Sequence, residues 1–343
     1  MLVLGLESSC DETAAGLVEL ESGSPPRMLS NVIASQHATH AVYGGVVPEF
    51  AAREHLKNLP WVLEAALKEA GVGLGKLQGL AVTQGPGLAG CLHLGVAAIK
   101  GLAVATGLPF IGINHLEGHL AAAFLEHPDL RYPYLGLVVS GGHTALYDVR
   151  GPFERRRLFG TRDDAAGEAF DKVAKLLELG FPGGPALDKL AQSFMGDLAV
   201  VFPQSQAKDG SSDFSYSGLK TSVRTYLERA AKGDAVPEKA AVAAGFQKAA
   251  IEPLIRRAVE AAAGLGYAQV VAGGGVAANS LFRQALPLAC ESAGLQALLS
   301  SPALCADNGA MIAYAGGLRL MAGQSSPLDL GIDPNLETNQ ALA

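Results

Sequence analysis

Apolar positions along this chain gather in short runs broken by polar or glycine-rich turns. Leu2–Glu7 is apolar up to its last residue, the polar turn Ser8-Ser9-Cys10-Asp11-Glu12-Thr13 follows, and residues 14–20 are apolar again. Two short apolar runs about such a turn predict strand, turn, strand. The shape returns at Tyr134–Val139, Ser140-Gly141-Gly142-His143-Thr144 and residues 145–149, with Leu4-Gly5-Leu6 and Leu135-Gly136-Leu137 as the cores that align. This weak internal repeat, each copy running on into helical pattern, predicts a duplicated fold. Between the copies, residues 49–70 space their apolar positions three and four apart and predict a helix. Residues 80–83 read as a buried strand, 88–106 as a helix and Phe110–Asn114 as a strand. In the second half, 165–179, 185–193, 219–231 and 240–263 read as helices, and 269–272 as a strand ending in Gly273-Gly274-Gly275. Alternation of this kind implies parallel sheets that bind ligands at the carboxyl ends of their strands. The polar, serine-rich residues 202–217 read as a loop and as the segment freest to move.

At 343 residues the chain suits two lobes, residues 1–130 and 131–343, with the final helix expected to pack back on the first lobe. Apolar residues make up 49% and aromatics 6%, so an Ala/Leu/Val core is expected, and the 42 glycines cluster in motifs that suggest backbone-built ligand loops. The longest apolar stretch, 88–113, is broken by His93, Lys100, Gly101 and Pro109, which favours a buried helix and strand over a membrane span. The first residues carry no basic leader and reach Glu7 early, so no signal peptide is expected. Cys10, Cys91, Cys290 and Cys305 lie far apart without a C-x-x-C pair, as free thiols of a cytoplasmic protein would. A net charge of −7 opposes strong nucleic-acid binding by the chain alone. Arg150, Arg155, Arg156, Arg157 and Arg162 are the exception, opposed within 150–162 only by Glu154. Such a run reads as a solvated loop, with phosphate contact as the alternative.

The sharpest chemical signal is Asn114-His115-Leu116-Glu117-Gly118-His119, where a strand runs into a helix. Two histidines four apart stand about 40° from each other on a helix and can share a metal ion; a capping and a core histidine are the other reading. In the zinc-protease pattern the glutamate directly follows the first histidine. Glu117 comes two residues on, about 200° round the helix, and points away, so a peptidase reading loses its general base. Asp307, in Cys305-Ala306-Asp307-Asn308-Gly309, is either a third ligand or a helix N-cap. Gly85-Pro86-Gly87-Leu88-Ala89-Gly90 spells a dinucleotide fingerprint, yet the next strand ends in Gly112-Ile113-Asn114-His115 without the acid that would hold ribose. Those glycines are expected to serve a tight turn and close helix packing. Gly141 and Gly142 at a hairpin tip can turn amides toward an anion. The bare backbone at 273–275, followed by Asn279, can lie against adenine or ribose. Each glycine motif alone reads as a turn. Together, on a duplicated α/β frame, they suggest the nucleotide cleft of the actin, heat-shock chaperone and sugar-kinase superfamily.

These motifs, with Gly44-Gly45-Val46-Val47-Pro48-Glu49, occur in the order found in the TsaD (formerly Gcp) family, which the chain resembles over essentially its whole length. The resemblance implies the duplicated actin-like (ASKHA) α/β fold, two lobes with a nucleotide cleft between them. It implies one iron (Fe2+) or zinc ion per subunit on His115, His119 and Asp307. It implies transfer of the threonylcarbamoyl group from threonylcarbamoyl-AMP to N6 of adenosine 37 in tRNAs reading codons that begin with A. Substrate contacts are then expected at Val138, Val139, Ser140, Gly141, Gly142, Asp171, Gly184, Asp188 and Asn279. TsaB and TsaE are the expected partner proteins. Asp11 and Glu12 are candidates for orienting the amine or taking its proton, with a solvated turn as the alternative. Rival readings are an ATPase or kinase of the same fold, a metallopeptidase, and a non-enzymatic scaffold for a tRNA-modifying complex.

Overall fold

The computed structural model describes residues 1–196, 200–207, 211–232 and 238–337, and its described residues divide into two compact units. Unit 1 comprises residues 1–130 together with those from 303 onward, and unit 2 comprises residues 131–302. In unit 1 the strands are β1 (Leu2–Glu7), β2 (Glu12–Glu19), β3 (Arg27–Ser35), β4 (Gly79–Gly85) and β5 (Phe110–Asn114). They form one sheet in the order β3-β2-β1-β4-β5, with β1 antiparallel to β2 and parallel to β4, and β4 parallel to β5. In unit 2, β6 (Tyr134–Val139), β7 (Thr144–Val149), β8 (Arg155–Gly160), β9 (Gln269–Gly273) and β10 (Gln296–Leu299) form a second sheet in the order β10-β9-β6-β7-β8. The pairings repeat: β6 is antiparallel to β7 and parallel to β9, and β9 is parallel to β10. The fold is duplicated α/β, and the hairpin shape that recurs in the sequence opens both sheets.

The helices of unit 1 are α1 (His37–Ala41), α2 (Pro48–Glu69), α3 (Ala89–Thr106) and α4 (His115–Ala122). Unit 2 carries α5 (Ala166–Leu176), α6 (Gly183–Gln192), α7 (Ser217–Lys232), α8 (Lys239–Leu265) and α9 (Ser280–Ser292). The short α10 (Pro302–Cys305) leads into α11 (Gly309–Met321), which returns to unit 1. All six residues of β1 are buried, because both faces of the strand are covered. Leu2, Leu4 and Leu6 join Leu59, Val62 and Ile99 in one core, while Val3 joins Ile111, Met311 and Ile312 in another. That double burial is why β1 reads as an unbroken apolar run.

The second core depends on backbone lying against backbone. A Cβ on Gly5 would stand 2.2 Å from the Ala313 nitrogen, one on Gly16 2.5 Å from the Ala310 nitrogen, and one on Gly309 2.2 Å from the Gly16 nitrogen. Glycine on both sides lets α11 settle directly onto β1 and β2, and this contact fixes the residues just before α11.

One expectation from the sequence changes here. The arginine run 155–157, expected as a solvated loop, forms edge strand β8. The strand hydrogen-bonds through its backbone, so side chains that stay in water do not prevent it. The described residues of 202–217 form a loop up to α7, as expected, anchored by the buried Phe202, Ser205, Phe214 and Tyr216, while 208–210 lie outside the described residues. The half-exposed β3 has no counterpart in the expected elements, since its pattern is mixed. By length and composition α3 could cross a membrane. In the fold its Cys91, Leu92, Val96, Ile99 and Ala103 are buried where it packs on α2 and β4.

Candidate functional site

In unit 1, β5 ends at Asn114, whose side-chain oxygen accepts the amides of Leu116 (2.9 Å) and Glu117 (3.4 Å). This cap starts α4 at His115 and so fixes His115 and His119 on one face, their ring centroids 4.7 Å apart and nearly perpendicular. Asp307 comes to them from just before α11. Its Oδ1 lies 3.1 Å from Nε2 of His119 and 3.4 Å from Nε2 of His115. The N-cap of α11 is the next residue, Asn308, which accepts the Met311 amide at 2.9 Å. The capping role is therefore taken by Asn308, and the Asp307 carboxylate faces the two imidazoles.

The other side of His115 is held by residues that sequence reasoning missed. Glu7, at the end of β1 and fully buried, accepts from Nδ1 of His115 at 3.0 Å, from the Thr83 hydroxyl at 2.5 Å and from the Ser9 amide at 2.5 Å. Burial alone would raise the Glu7 carboxyl; the charge and hydrogen bond of His115 outweigh it and hold it below the ordinary range. Burial likewise disfavours the charged form of His115, but Asp307 and Glu7 raise it to about 9. A site that pulls a proton onto a buried imidazole this strongly suits a cation. Nδ1 of His115 is committed to Glu7 and Nε2 faces the Asp307 carboxylate, the carboxylate–histidine arrangement of metal sites. The three donor atoms lie within 4.8 Å of one another, a set of two imidazoles and one carboxylate compatible with a bound metal ion. Nδ1 of His119 is buried with no hydrogen-bond partner among the described residues, so Nε2 is the nitrogen through which this ring is held.

Glu117 turns away from the group, as its place on the helix predicts. It is buried in an ion pair with Arg319 of α11, at 2.8 and 3.0 Å. A carboxylate clamped in this way cannot serve as the base of a peptidase. The Gly85–Gly90 turn also finds a packing role, since a Cβ at Gly85 would overlap the Asp333 carbonyl and one at Gly87 would meet Ser9.

A second group gathers at the β1–β2 turn. Nε2 of His37, the first residue of α1, lies 3.1 Å from Glu12 and 3.7 Å from Asp11. Burial pushes the Glu12 carboxyl up to about 8, against the hydrogen bond from His37, and the neighbouring Asp11 and Asp307 charges add to the rise. Asp11 is itself buried, so neither acid sits in a solvated turn. The turn is fixed from behind by His55, which meets the Thr13 hydroxyl at 2.7 Å and the Cys10 carbonyl at 3.0 Å. A polar break at Gln36-His37 was the only sign of His37 in the sequence.

Unit 2 has its own set. The β6–β7 tip is closed by the Ser140 amide donating to the His143 carbonyl (2.8 Å), leaving Gly141 and Gly142 exposed with open space around them. Val138 and Val139 have fully buried side chains, so only their main chain could meet a ligand. Gly167 at the start of α5 donates to the Ser140 carbonyl. Asp171 accepts the amides of Gly183 (2.8 Å) and Gly184 (3.2 Å), which ties α5 to the start of α6. Asp188 accepts from the amide and hydroxyl of Ser280, and Asn279 caps α9 while donating to Gln247 at 3.1 Å. These side chains therefore knit one set of loops, with Gly274 (φ 91°) crossing close over the Val139 carbonyl.

Residues 27–314 match the family model described as TsaD, tRNA N6-adenosine threonylcarbamoyltransferase. Curated relatives of that same description include one from Geobacter sp. (strain M21), 49% identical over 97% of this chain and 96% of its own length. Another, from Clostridium beijerinckii, is 44% identical over 99% and 98%. Among solved structures, HypF of T. kodakarensis aligns with 94% of the chain and 48% of its own length at TM-score 0.63 and 16% identity. Component A of the (R)-2-hydroxyglutaryl-CoA dehydratase of Acidaminococcus fermentans covers 94% at TM-score 0.56 and 17% identity. At such identities these two likenesses speak for the fold, which is of the actin-like ASKHA type.

Proposed function

Since the chain belongs to the TsaD family of tRNA N6-adenosine threonylcarbamoyltransferases, and so is an acyltransferase of tRNA modification, we propose that it passes the threonylcarbamoyl group of threonylcarbamoyl-AMP to adenosine 37 of tRNAs that read codons beginning with A. The N6 nitrogen forms a bond to the threonylcarbamoyl carbon, the bond from that carbon to the phosphate oxygen breaks, AMP departs, and N6 loses a proton. An adenine amine is a poor nucleophile, so the chain must hold it against the acyl carbon and accept its proton. We assign that task to Glu12 and Asp11. The Glu12 carboxyl, raised to about 8, lies within reach of a physiological working pH, and His37 stands beside it to take the proton onward. The Gly141 and Gly142 amides suit a phosphate, and the main chain of Val138, Val139 and Ser140 suits the nucleotide it carries. Asp171, Gly184, Asp188 and Asn279 hold the remaining loops of that pocket in register.

His115, His119 and Asp307 would hold one ion, iron or zinc by their donor chemistry, and that ion would polarise the oxygens of the acyl phosphate. Glu7 keeps the His115 ring turned for the task. The convergence of these three donors, in a chain that matches the family almost end to end, carries the reading. The tRNA substrate and four free cysteines support a cytoplasmic place of work, with TsaB- and TsaE-type proteins as partners. The deciding experiment supplies threonylcarbamoyl-AMP and tRNA, with and without those partners, and looks for the modified nucleoside by mass spectrometry. No modified nucleoside under any condition would sink the assignment.

A further inference from the structure

The tRNA reading leaves an electrostatic problem that the two units answer differently. Unit 1 holds 7 lysines and arginines against 16 aspartates and glutamates, net −9, while unit 2 holds 19 against 17, net +2, which together give the chain's −7. A polyphosphate is repelled by the first and tolerated by the second, so any grip this chain has on nucleic acid belongs on unit 2.

Within unit 2 the positive charge is concentrated at β8, which among the described residues is the outer strand of its sheet. Arg155 and Arg157 point to one side of the strand and Arg156 to the other, since side chains alternate. Just before and after the strand come Arg150 and Arg162. Arg156, Arg150 and Arg162 are 64%, 51% and 48% exposed and Arg157 is exposed too, while the half-buried Arg155 donates to the Pro152 carbonyl. Two carboxylates hold the row in place. Asp148, 1% exposed and bonded to the Tyr267 hydroxyl at 2.7 Å, lies 3.0 Å from Arg150 and 3.5 Å from Arg156. Asp213 lies 2.9 Å from Arg162, and its carboxyl is also lowered by the charge of Arg157. Gly160 has no Cβ, and the Arg157 guanidinium fills that place. Asp148 thus restrains two arginines and Asp213 one, while Arg157 lies over Gly160, which leaves a held row in which arginines outnumber these acids. Restrained guanidinium groups lose less freedom when they meet phosphates than free ones do.

We infer that the β8 edge, through Arg155, Arg156 and Arg157, is a surface on which unit 2 grips the phosphate backbone of the tRNA substrate. The inference rests on the reading of the chain as a tRNA acyltransferase. Charged residues on an edge strand also guard against strand-to-strand association, and the test must separate the two roles. The full-length double variant Arg156→Glu/Arg157→Glu keeps the edge charged and guarded but repels phosphate. Fluorescence anisotropy with an end-labelled tRNA, over a series of KCl concentrations, reads the difference. The expected result is an affinity lower by at least about tenfold near 0.1 M salt and a salt slope smaller by about one to two. Arg156→Lys/Arg157→Lys, which keeps the charges, recovers most of the loss.

Unchanged affinity and slope in the glutamate variant would overturn the inference, as would failure of the wild-type chain to bind tRNA even at low salt. Intact tRNA affinity with lost association of a protein partner would overturn it too and assign the edge to strand addition. Should the glutamate pair fail to fold by circular dichroism, Arg157→Gln alone reads the same slope. If wild-type enzyme forms the modified nucleoside while the variants bind normally, only this surface is wrong; if it forms none, the functional reading falls first.

Discussion

Units 1 and 2 carry the same five-stranded order about a central hairpin strand, yet the two hairpin tips are furnished in opposite ways. In the first copy the tip is acidic and enclosed: Asp11 and Glu12 face His37, His55 fixes the turn through Cys10 and Thr13, and Glu7 is buried at the end of β1. In the second the corresponding tip is Gly141-Gly142, exposed and without neighbours at the Cβ positions. Serine and threonine bound both, Ser9 and Thr13 in one, Ser140 and Thr144 in the other. Duplication fixed the backbone, and the side chains then divided the chemistry, carboxylates and imidazoles on one copy and bare amides on the other.

The sharpest way to break that division is to remove a donor from the enclosed side. His119→Ala or Asp307→Ala should abolish metal uptake and transfer together, whereas Glu7→Gln, which only turns His115, should weaken metal affinity about 10- to 100-fold. Elemental analysis of dialysed protein separates the two levels. Next in size, Arg319→Ala leaves Glu117 buried without its cation and should cost unit 1 about 3–5 kcal/mol in denaturant unfolding. Gly16→Ala presses a methyl into the α11 backbone and should destabilise by about 1–3 kcal/mol, while Gly141→Ala, facing open space, should change stability by less than about 0.5 kcal/mol. If both alanines behaved alike, the contrast between packed and open glycines would be wrong.

Acidity should divide the units more gently. Glu12 is raised, so its contribution is complete below 4.5 and is lost as pH rises through about 8. Asp163 and Asp164 of unit 2 shift the other way. Burial would raise them, but Ser215, Ser217 and the Tyr216 amide hold Asp163 low, and Lys172 and Lys220 hold Asp164 low. Their contribution is present above 3.8 and lost as pH falls below it. Hydrogen exchange followed by peptide should therefore show the Cys10–Thr13 turn loosening on the alkaline side and the start of α7 on the acid side. Loss of both at the same end would refute the signs.

Much of the frame was legible in advance because its strands are buried on both faces and read as apolar runs; Leu2–Glu7 and Phe110–Asn114 fall at their expected bounds. His115 and His119 were legible because helical spacing places them with no help from the rest of the chain. Glu7, His37 and Arg319 were not, since each acts through a partner far along the sequence and carries no periodic signature. β8 was misread for a related reason: polarity tracks contact with water, while strand formation follows backbone pairing. The capping alternative for Asp307 stayed open until Asn308 was seen to take that bond, a distinction of one residue that composition cannot make.

The three candidate donors come from both sides of the 172-residue unit 2: residues 115 and 119 precede it and 307 follows it. On the ribosome, therefore, the first two donors emerge early and wait while the whole second unit is translated. Not until α11 has left the exit tunnel and settled against Gly5 and Gly16 can the third close the group. If the three donors hold an ion, a nascent or prematurely terminated chain lacking that helix is without the third of them, and metal capture is one of the last events in the maturation of the enzyme.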